Sequence, residues 1–303
     1  METPERRALT PHVALKRIVL LVNPAAGGVG SGAAEEAEAL LETYESQSQV
    51  ILLEGSRMDA QIDEALALKP DLLVVLAGDG TARSAASRAG PKGPLVAPLP
   101  GGTMNMLPRA LYGTGDWRAA LHAALTEGEE QFVSGGQIDE HPFYCAAILG
   151  PPALWAPARE AVRGGRLSDA IKLAQRAFKR AFSGRLRYSL DGARTRKAES
   201  LVLISPMISR ALDEPVGLEA AAMDAANAGD LVRLAAHALF DDWRKDPAVR
   251  SQPAKAIAVH SRSQIPALID GESVRLDRQS LIRFTPRAFR TLAPRPPAGS
   301  DTA

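Results

Sequence analysis

Short apolar runs alternate with segments of helical spacing through the first 130 residues. Ile18 to Val22 is a β-branched run, and Ser31 to Tyr44 has the Ala, Leu and Glu spacing of a helix with Ser31 as its cap. Val50 to Leu53 predicts a second strand. Asp59 to Leu68 gathers Ile62, Ala65, Leu66 and Leu68 on one side of a helix, and Asp71 to Leu76 is continuously apolar after its first residue, as suits a strand covered on both faces. A helix from about Thr81, a fourth strand at Leu95 to Pro98 and helical segments through Glu127 complete the series. Strand and helix in this rhythm predict a doubly wound α/β domain with a parallel sheet over residues 1–130.

The pattern then changes. Ile138 to Leu149, Leu186 to Leu190, Ser200 to Ile204, Lys255 to Val259, Pro266 to Ile269 and Leu281 to Thr285 read as strands, with Asp191-Gly192 and Asp270-Gly271 as turns. A β-rich second domain over 131–283 follows, interrupted by helical insertions at Ser168 to Phe182 and Leu231 to Trp243. The proline-rich end, Ala293-Pro294-Arg295-Pro296-Pro297 and onward, predicts a disordered tail over 296–303.

A chain of 303 residues, 46% of them hydrophobic, has room for two cores. The net charge of +1 gives no argument for nucleic acid or for bulk attraction to an anionic membrane. Cys145, the only cysteine, fits a reducing compartment and a buried thiol. No run approaches the ~20 apolar residues of a membrane span. A cytoplasmic protein is therefore expected, with peripheral contact at the inner face of the membrane left open. His12, His122, His141, His237 and His260 lack metal-ligand spacing, and Trp117, Trp155 and Trp243 fit packing positions.

Chemistry concentrates in two loops. Ala77-Gly78-Asp79-Gly80-Thr81 and Pro100-Gly101-Gly102-Thr103-Met104-Asn105 each follow a strand-like run. Glycine lets backbone approach an anion, and the N–H groups opening the next helix carry partial positive charge toward it. In parallel sheets ligands sit beyond the carboxyl ends of the strands, so the loops suit one polyphosphate.

Four segments together resemble the diacylglycerol kinase catalytic domain family, which includes bacterial lipid kinases, sphingosine kinases and ceramide kinases. Asn23-Pro24-Ala25-Ala26-Gly27-Gly28 is similar to its Asn-Pro-x-Ser-Gly loop, Gly78-Asp79-Gly80-Thr81 to its Gly-Gly-Asp-Gly-Thr, Pro100 to Asn105 to its Pro-x-Gly-Thr-x-Asn, and Asp270-Gly271-Glu272 to its Asp-Gly-Glu. Order and spacing match from about Arg17 to Pro294. The resemblance implies an N-terminal domain like that of NAD kinases and a C-terminal β-sandwich. It also implies a last strand near Phe284 to Leu292 that returns to the first domain, as part of a return segment 284–295, and an active site in the interdomain cleft.

By that resemblance, ATP phosphates are held near Asn23, Pro24, Gly27, Gly28, Gly78, Gly80, Thr81, Gly102 and Thr103, with Asn105 supporting the second loop, and Mg²⁺ assists. Phosphoryl transfer asks for positioning, charge neutralisation and a residue that orients or deprotonates the attacking hydroxyl. Asp79 is the first candidate for that residue; capping the helix that starts near Thr81 is its other reading. Asp270 and Glu272, at alternate positions after a strand, suit Mg²⁺ or the substrate hydroxyl, and a hairpin turn is the alternative.

The implied activity is an ATP-dependent lipid kinase acting on a diacylglycerol-like, ceramide or sphingoid hydroxyl. The alternatives are a soluble NAD-kinase-like enzyme or a non-catalytic nucleotide- or lipid-binding member. Met106, Ser134 and Ser84 stand where many relatives carry carboxylates. In 159–197, Leu167, Ile171, Ala174, Phe178 and Ala181 form an apolar stripe beside Lys172, Arg176, Lys179 and Arg180. That is a candidate for docking on a bilayer that holds the lipid substrate, or for an ordinary packed helix.

Overall fold

The computed structural model describes residues 12–151, 153, 185–209, 216–224 and 249–295. The two helical insertions, the docking stripe of the basic stretch and the tail 296–303 lie outside them. The chain divides into two units, Met1–Val133 with Arg287–Ala303, and Ser134–Pro286.

In the first unit, strands β1 (Arg17–Val22), β2 (Gln47–Leu52), β3 (Leu72–Ala77) and β4 (Leu95–Pro100) form a parallel sheet in the order β2-β1-β3-β4. Helices α1 (Ala33–Leu41), α2 (Met58–Ala67), α3 (Asp79–Ala89), α4 (Met106–Tyr112) and α5 (Trp117–Glu127) fill the connections. Every residue of β3 and β4 is buried, because helices cover both faces of a doubly wound sheet. Leu20, Val74, Leu76 and Leu99 share one core with Ala37 and Leu41 of α1 and Leu121 and Leu125 of α5. Alternation puts Val19, Leu21, Leu73 and Val75 on the other face. α3 packs along β3 and β4. With the apolar sides fixed in this way, the β1, β3 and β4 connections open at one edge, which is where the glycine segments fall.

The start of α1 differs from expectation. Its cap is Gly32, at φ 82°, with no side-chain hydrogen bond, so Ser31 does not cap it. The left-handed turn costs glycine nothing and a side chain a good deal, which is why the helix begins one residue later.

The second unit is built from antiparallel strands. β7 (Ala146–Leu149), β10 (Ser200–Ile204), β11 (Leu218–Met223), β12 (Val249–Ala254), β14 (Ile265–Ile269) and β15 (Glu272–Leu276) form one sheet, ordered β12-β11-β10-β7-β14-β15. Facing it are β8 (Leu186–Leu190), β9 (Arg196–Ala198), β13 (Ala256–His260) and the first residues of β16 (Gln279–Ala293). β5 (Glu129–Ile138) pairs with β6 (His141–Phe143). Leu149, Leu201, Leu203 and Ile269 meet Leu186, Ile257, Val259 and Ile282 in one core. β16 ends in the first unit, where Thr291 pairs in parallel with Val96 of β4.

Ile138 to Leu149 is not one strand. Asp139, at φ 49°, turns β5 into β6, and the chain then changes sheet into β7. β11 was not expected, because Leu-Glu-Ala-Ala-Ala-Met has weak strand propensity; cross-strand pairing with β10 and β12 overrides it. The Asp270-Gly271 turn is present as read: φ is 46° and 86°, and Ile269 pairs with Glu272 across a two-residue hairpin.

Candidate functional site

Three loops leave the carboxyl ends of β1, β3 and β4 and lock together through backbone. The Gly28 N–H donates to the Gly101 carbonyl at 2.8 Å, the Gly101 N–H to the Ala77 carbonyl at 3.1 Å, and the Asn23 N–H to the Leu76 carbonyl at 3.0 Å. A Cβ on Gly28 would stand 2.9 Å from the carbonyl oxygens of Gly101 and Gly102, one on Gly101 would stand 2.8 Å from the Ala77 nitrogen, and one on Gly102 would stand 2.7 Å from the Gly78 Cα. Such contacts leave no room for a side chain. These glycines are needed first for loop against loop, and only then for any ligand.

Around this knot the surface stays open. Gly27, Gly28 and Thr103 are exposed, and Gly78, Gly80 and Gly102 are half-buried. A Cβ on Gly27 would meet only the Thr103 hydroxyl, 3.8 Å away. α3 begins at Asp79, and its first helical backbone bond runs from the Ala82 N–H to the Gly78 carbonyl. The N–H groups of Gly80 and Thr81 therefore have no partner inside the helix and carry its positive end. The donor set fits a phosphate chain: backbone N–H groups at a helix start, beside an exposed hydroxyl, at the carboxyl edge of a parallel sheet.

Individual side chains have narrower tasks than expected. Asn23 closes its own turn, its Oδ1 accepting the Ala25 N–H at 3.0 Å. Pro24 is exposed beside it. The Thr81 side chain is buried and its hydroxyl turns to the Met58 sulfur at 3.2 Å, so Thr81 offers the loop its backbone and not its hydroxyl. Asn105, 6% exposed and at φ 51°, grips the Gly102 peptide from both sides. Its Oδ1 accepts the Gly102 N–H at 2.7 Å and its amide donates to the Gly102 carbonyl at 3.0 Å. The expected support of the second loop thus has a geometry.

Asp79 is the first residue of α3, so it does not cap a helix starting at Thr81. Its carboxylate turns across to the start of α4. Oδ2 accepts the Asn105 N–H at 2.8 Å, the N–H groups of Met106 and Leu107 face the carboxylate, and Oδ1 is buried without a hydrogen-bond partner. Burial pushes its pKa up, against the pull of those N–H groups.

In the second unit the Asp270 carboxylate is held by backbone. Oδ2 accepts the Tyr144 N–H at 2.7 Å, and Oδ1 accepts those of Cys145 and Ala146 at 2.9 Å each. The other aspartates at strand turns behave alike. Asp191 Oδ1 accepts from Lys255 and Ala256, and Asp139 Oδ1 accepts from Leu281. Asp270 is thus placed as the clamp on the β6–β7 junction. Glu272, next along the hairpin, is exposed. Among the described residues no group of three His, Cys, Asp or Glu side chains is gathered for a metal ion. With both its oxygens accepting backbone N–H groups, Asp270 has little left to offer the Mg²⁺ expected at Asp270 and Glu272.

The three departures have local explanations. Ser84 donates to Asp59 at 3.1 Å within a surface cluster that includes Arg88 and Asp63. The Ser134 carbonyl accepts the Ser205 hydroxyl at 3.2 Å, and Met106 opens α4. Missed in the sequence were Val29, whose methyl lies 2.8 Å from the place of a Gly101 Cβ, and Met58 beneath Thr81. No sequence signal marked either, since both are contacts between elements far apart in the chain. No helix among the described residues is long and apolar enough to cross a membrane.

Residues 17–137 match the model of the diacylglycerol kinase catalytic domain. Among solved structures, the chain is similar to a diacylglycerol kinase from Bacillus anthracis str. Sterne, at 18% identity and a TM-score of 0.72, over 93% of this chain and 98% of that one. A second chain from the same organism, provisionally described as a diacylglycerol kinase, gives 19% identity and a TM-score of 0.69 with the same coverage. At such identities the likeness establishes the fold: a parallel α/β unit and a separate antiparallel β unit. The family resemblance read from the four segments is borne out by the model match over the first unit, which contains three of them.

Proposed function

We propose that a chain with a diacylglycerol-kinase-type catalytic domain over residues 17–137 is an ATP-dependent lipid kinase, passing the γ-phosphoryl group to the hydroxyl of a diacylglycerol-like, ceramide or sphingoid lipid. The observation that carries the reading is the three-loop knot at the carboxyl edge of the sheet. It presents the Gly80 and Thr81 N–H groups from one loop and the exposed Thr103 from another, on loops that backbone contacts lock together. Pre-organised donors of this kind stabilise charge on a transferring phosphoryl group without reorganising at the moment of reaction.

When bound, ATP supplies the phosphoryl group, with Mg²⁺ as the counter-ion of its phosphates. The chain's own tasks are to fix the phosphates on the knot and to hold and deprotonate the acceptor hydroxyl. Glu272 is the carboxylate we assign to the second task. It belongs to the segment similar to the family's Asp-Gly-Glu, and its side chain is exposed.

The test is incubation of the protein with γ-labelled ATP, Mg²⁺, a panel of micellar lipids and, separately, NAD. Label in a lipid is the expected result. Label in NADP instead, or ATP binding with no transfer, would replace this reading with a soluble NAD-kinase-like or a non-catalytic one. Glu272→Gln should lower lipid phosphorylation by about 10²-fold or more while leaving ATP affinity in place. Unreduced turnover removes Glu272 from the role.

A further inference from the structure

An aspartate between two glycines at the mouth of a phosphate loop suggests a proton acceptor. The orientation of Asp79 points elsewhere. We infer that Asp79 is a positioning residue, whose carboxylate fixes the start of α4 and, through Asn105, holds the Gly102 peptide in the shape that receives nucleotide phosphate. The inference rests on the nucleotide reading of the knot given above.

The chain of contacts is short. Asp79 Oδ2 takes the Asn105 N–H at 2.8 Å. Asn105 is thereby kept at φ 51°, a left-handed conformation open to asparagine at small cost but not its resting one. That backbone turn aims the Asn105 side chain at Gly102, whose N–H and carbonyl it holds at 2.7 and 3.0 Å. Gly102 in turn lies so close to Gly78, the residue before Asp79, that no Cβ fits between them. The circuit Gly78, Asp79, Asn105, Gly102 is closed, and it joins the β3 loop to the β4 loop.

A proton acceptor must offer a lone pair to the incoming hydroxyl. Oδ2 of Asp79 is engaged by Asn105, and Oδ1 is shut off from solvent. The N–H groups of Met106 and Leu107, which a helix start leaves without intrahelical partners, also face this carboxylate. Those are the relations of a helix cap, here supplied by a residue 26 positions away in sequence. The short capping side chains Asp and Asn are near-equivalent in that task, and Ala is far worse. The same two substitutions rank differently for a base, because Asn cannot accept a proton at working pH.

The experiment compares Asp79→Asn, Asp79→Ala and Asn105→Ala with the wild type. Three quantities are read: ATP affinity by calorimetry, kcat and KM for ATP, and amide hydrogen exchange over residues 101–107. Asp79→Asn should hold ATP affinity within about threefold, and its kcat should fall less than about tenfold, with no change in the pH profile. Asp79→Ala and Asn105→Ala should each weaken ATP binding roughly 2- to 30-fold and speed exchange over 101–107, and the double variant should be no worse than the poorer single one, because both cut the same circuit. A kcat loss of about 10²-fold or more in Asp79→Asn with ATP affinity unchanged would overturn the inference in favour of a base. So would unchanged exchange over 101–107 in both alanine variants. Exchange needs no nucleotide, so a wild type that fails to bind ATP would sink the kinase reading, while the link from Asp79 to Gly102 would still be decided.

Discussion

Gly102→Ala tests whether the loop knot, rather than glycine's flexibility, dictates the sequence at the β4 end. The new Cβ would stand 2.7 Å from the Gly78 Cα, 3.3 Å from the Asn105 Oδ1 and 3.5 Å from the Asp79 nitrogen. Carbon atoms in contact settle at roughly 3.5–4.0 Å, so the β3 and β4 loops would have to part by about 1 Å. No side chain can swing aside to relieve this, because Gly78 presents backbone and the Gly102 peptide is pinned by Asn105 at both ends. Overpacking of this kind costs about 1–3 kcal/mol. Gly102 is not among the positive-φ glycines, so alanine is conformationally permitted there, and the stiffer unfolded chain returns about 0.4–1 kcal/mol. The expected net loss against wild type is up to about 2.5 kcal/mol, and about 1–3 kcal/mol against a glycine-to-alanine change without the clash, with ATP affinity falling alongside. Gly30→Ala is the control: it sits in the β1 loop with no heavy atom within 4 Å of its Cβ and no positive φ, so it should be neutral or slightly stabilising. Urea unfolding followed by circular dichroism, with calorimetric ATP titration, reads both. The reasoning fails if Gly102→Ala is as stable as Gly30→Ala, or if the two bind ATP equally well.

Other expectations reach beyond the knot. Asp270→Ala strands the N–H groups of Tyr144, Cys145 and Ala146 and should destabilise the second unit by roughly 3 kcal/mol or more, with Asp270→Asn losing less because one acceptor remains; a loss under about 0.5 kcal/mol in chemical denaturation would contradict the clamp. Tyr112 donates to the Leu292 carbonyl at 3.0 Å, and burial pushes its phenol pKa well above the usual value. The folded state holds that proton more tightly than the unfolded one, so the stability it contributes is complete below about pH 10 and is lost as pH rises beyond it. Tyr112→Phe should therefore cost about 0.5–1.5 kcal/mol at neutral pH and soften the alkaline decline; an unaltered alkaline limb in a pH series of unfolding midpoints would refute this.

Much was legible because local pattern and burial agree. The runs Asp71 to Leu76 and Leu95 to Pro98 predict strands, the first covered on both faces, and they correspond to β3 and β4, buried throughout at inner positions of the parallel sheet. The Asp270-Gly271 hairpin is legible because two consecutive positive-φ residues favour those residue types. β11 is the opposite case: three consecutive alanines become a strand only through their partners on both sides. The break of 138–149 was also hidden, since the clamp that redirects the chain is a carboxylate more than 120 residues away.

By itself the sequence determined the alternation of strand and helix, the edge of the sheet at which the loops open, and the glycine segments that suit an anion there. These follow from periodicity, chain direction and the absence of a Cβ, all of which are properties of neighbours in the chain. Only the tertiary structure decided what the aspartates do. Asp79 and Asp270 both stand beside glycine in segments that suggest chemistry, yet each carboxylate turns to N–H groups brought from elsewhere. Burying a carboxylate is expensive unless donors meet it, and which donors meet it is a matter of packing that spacing along the chain does not encode.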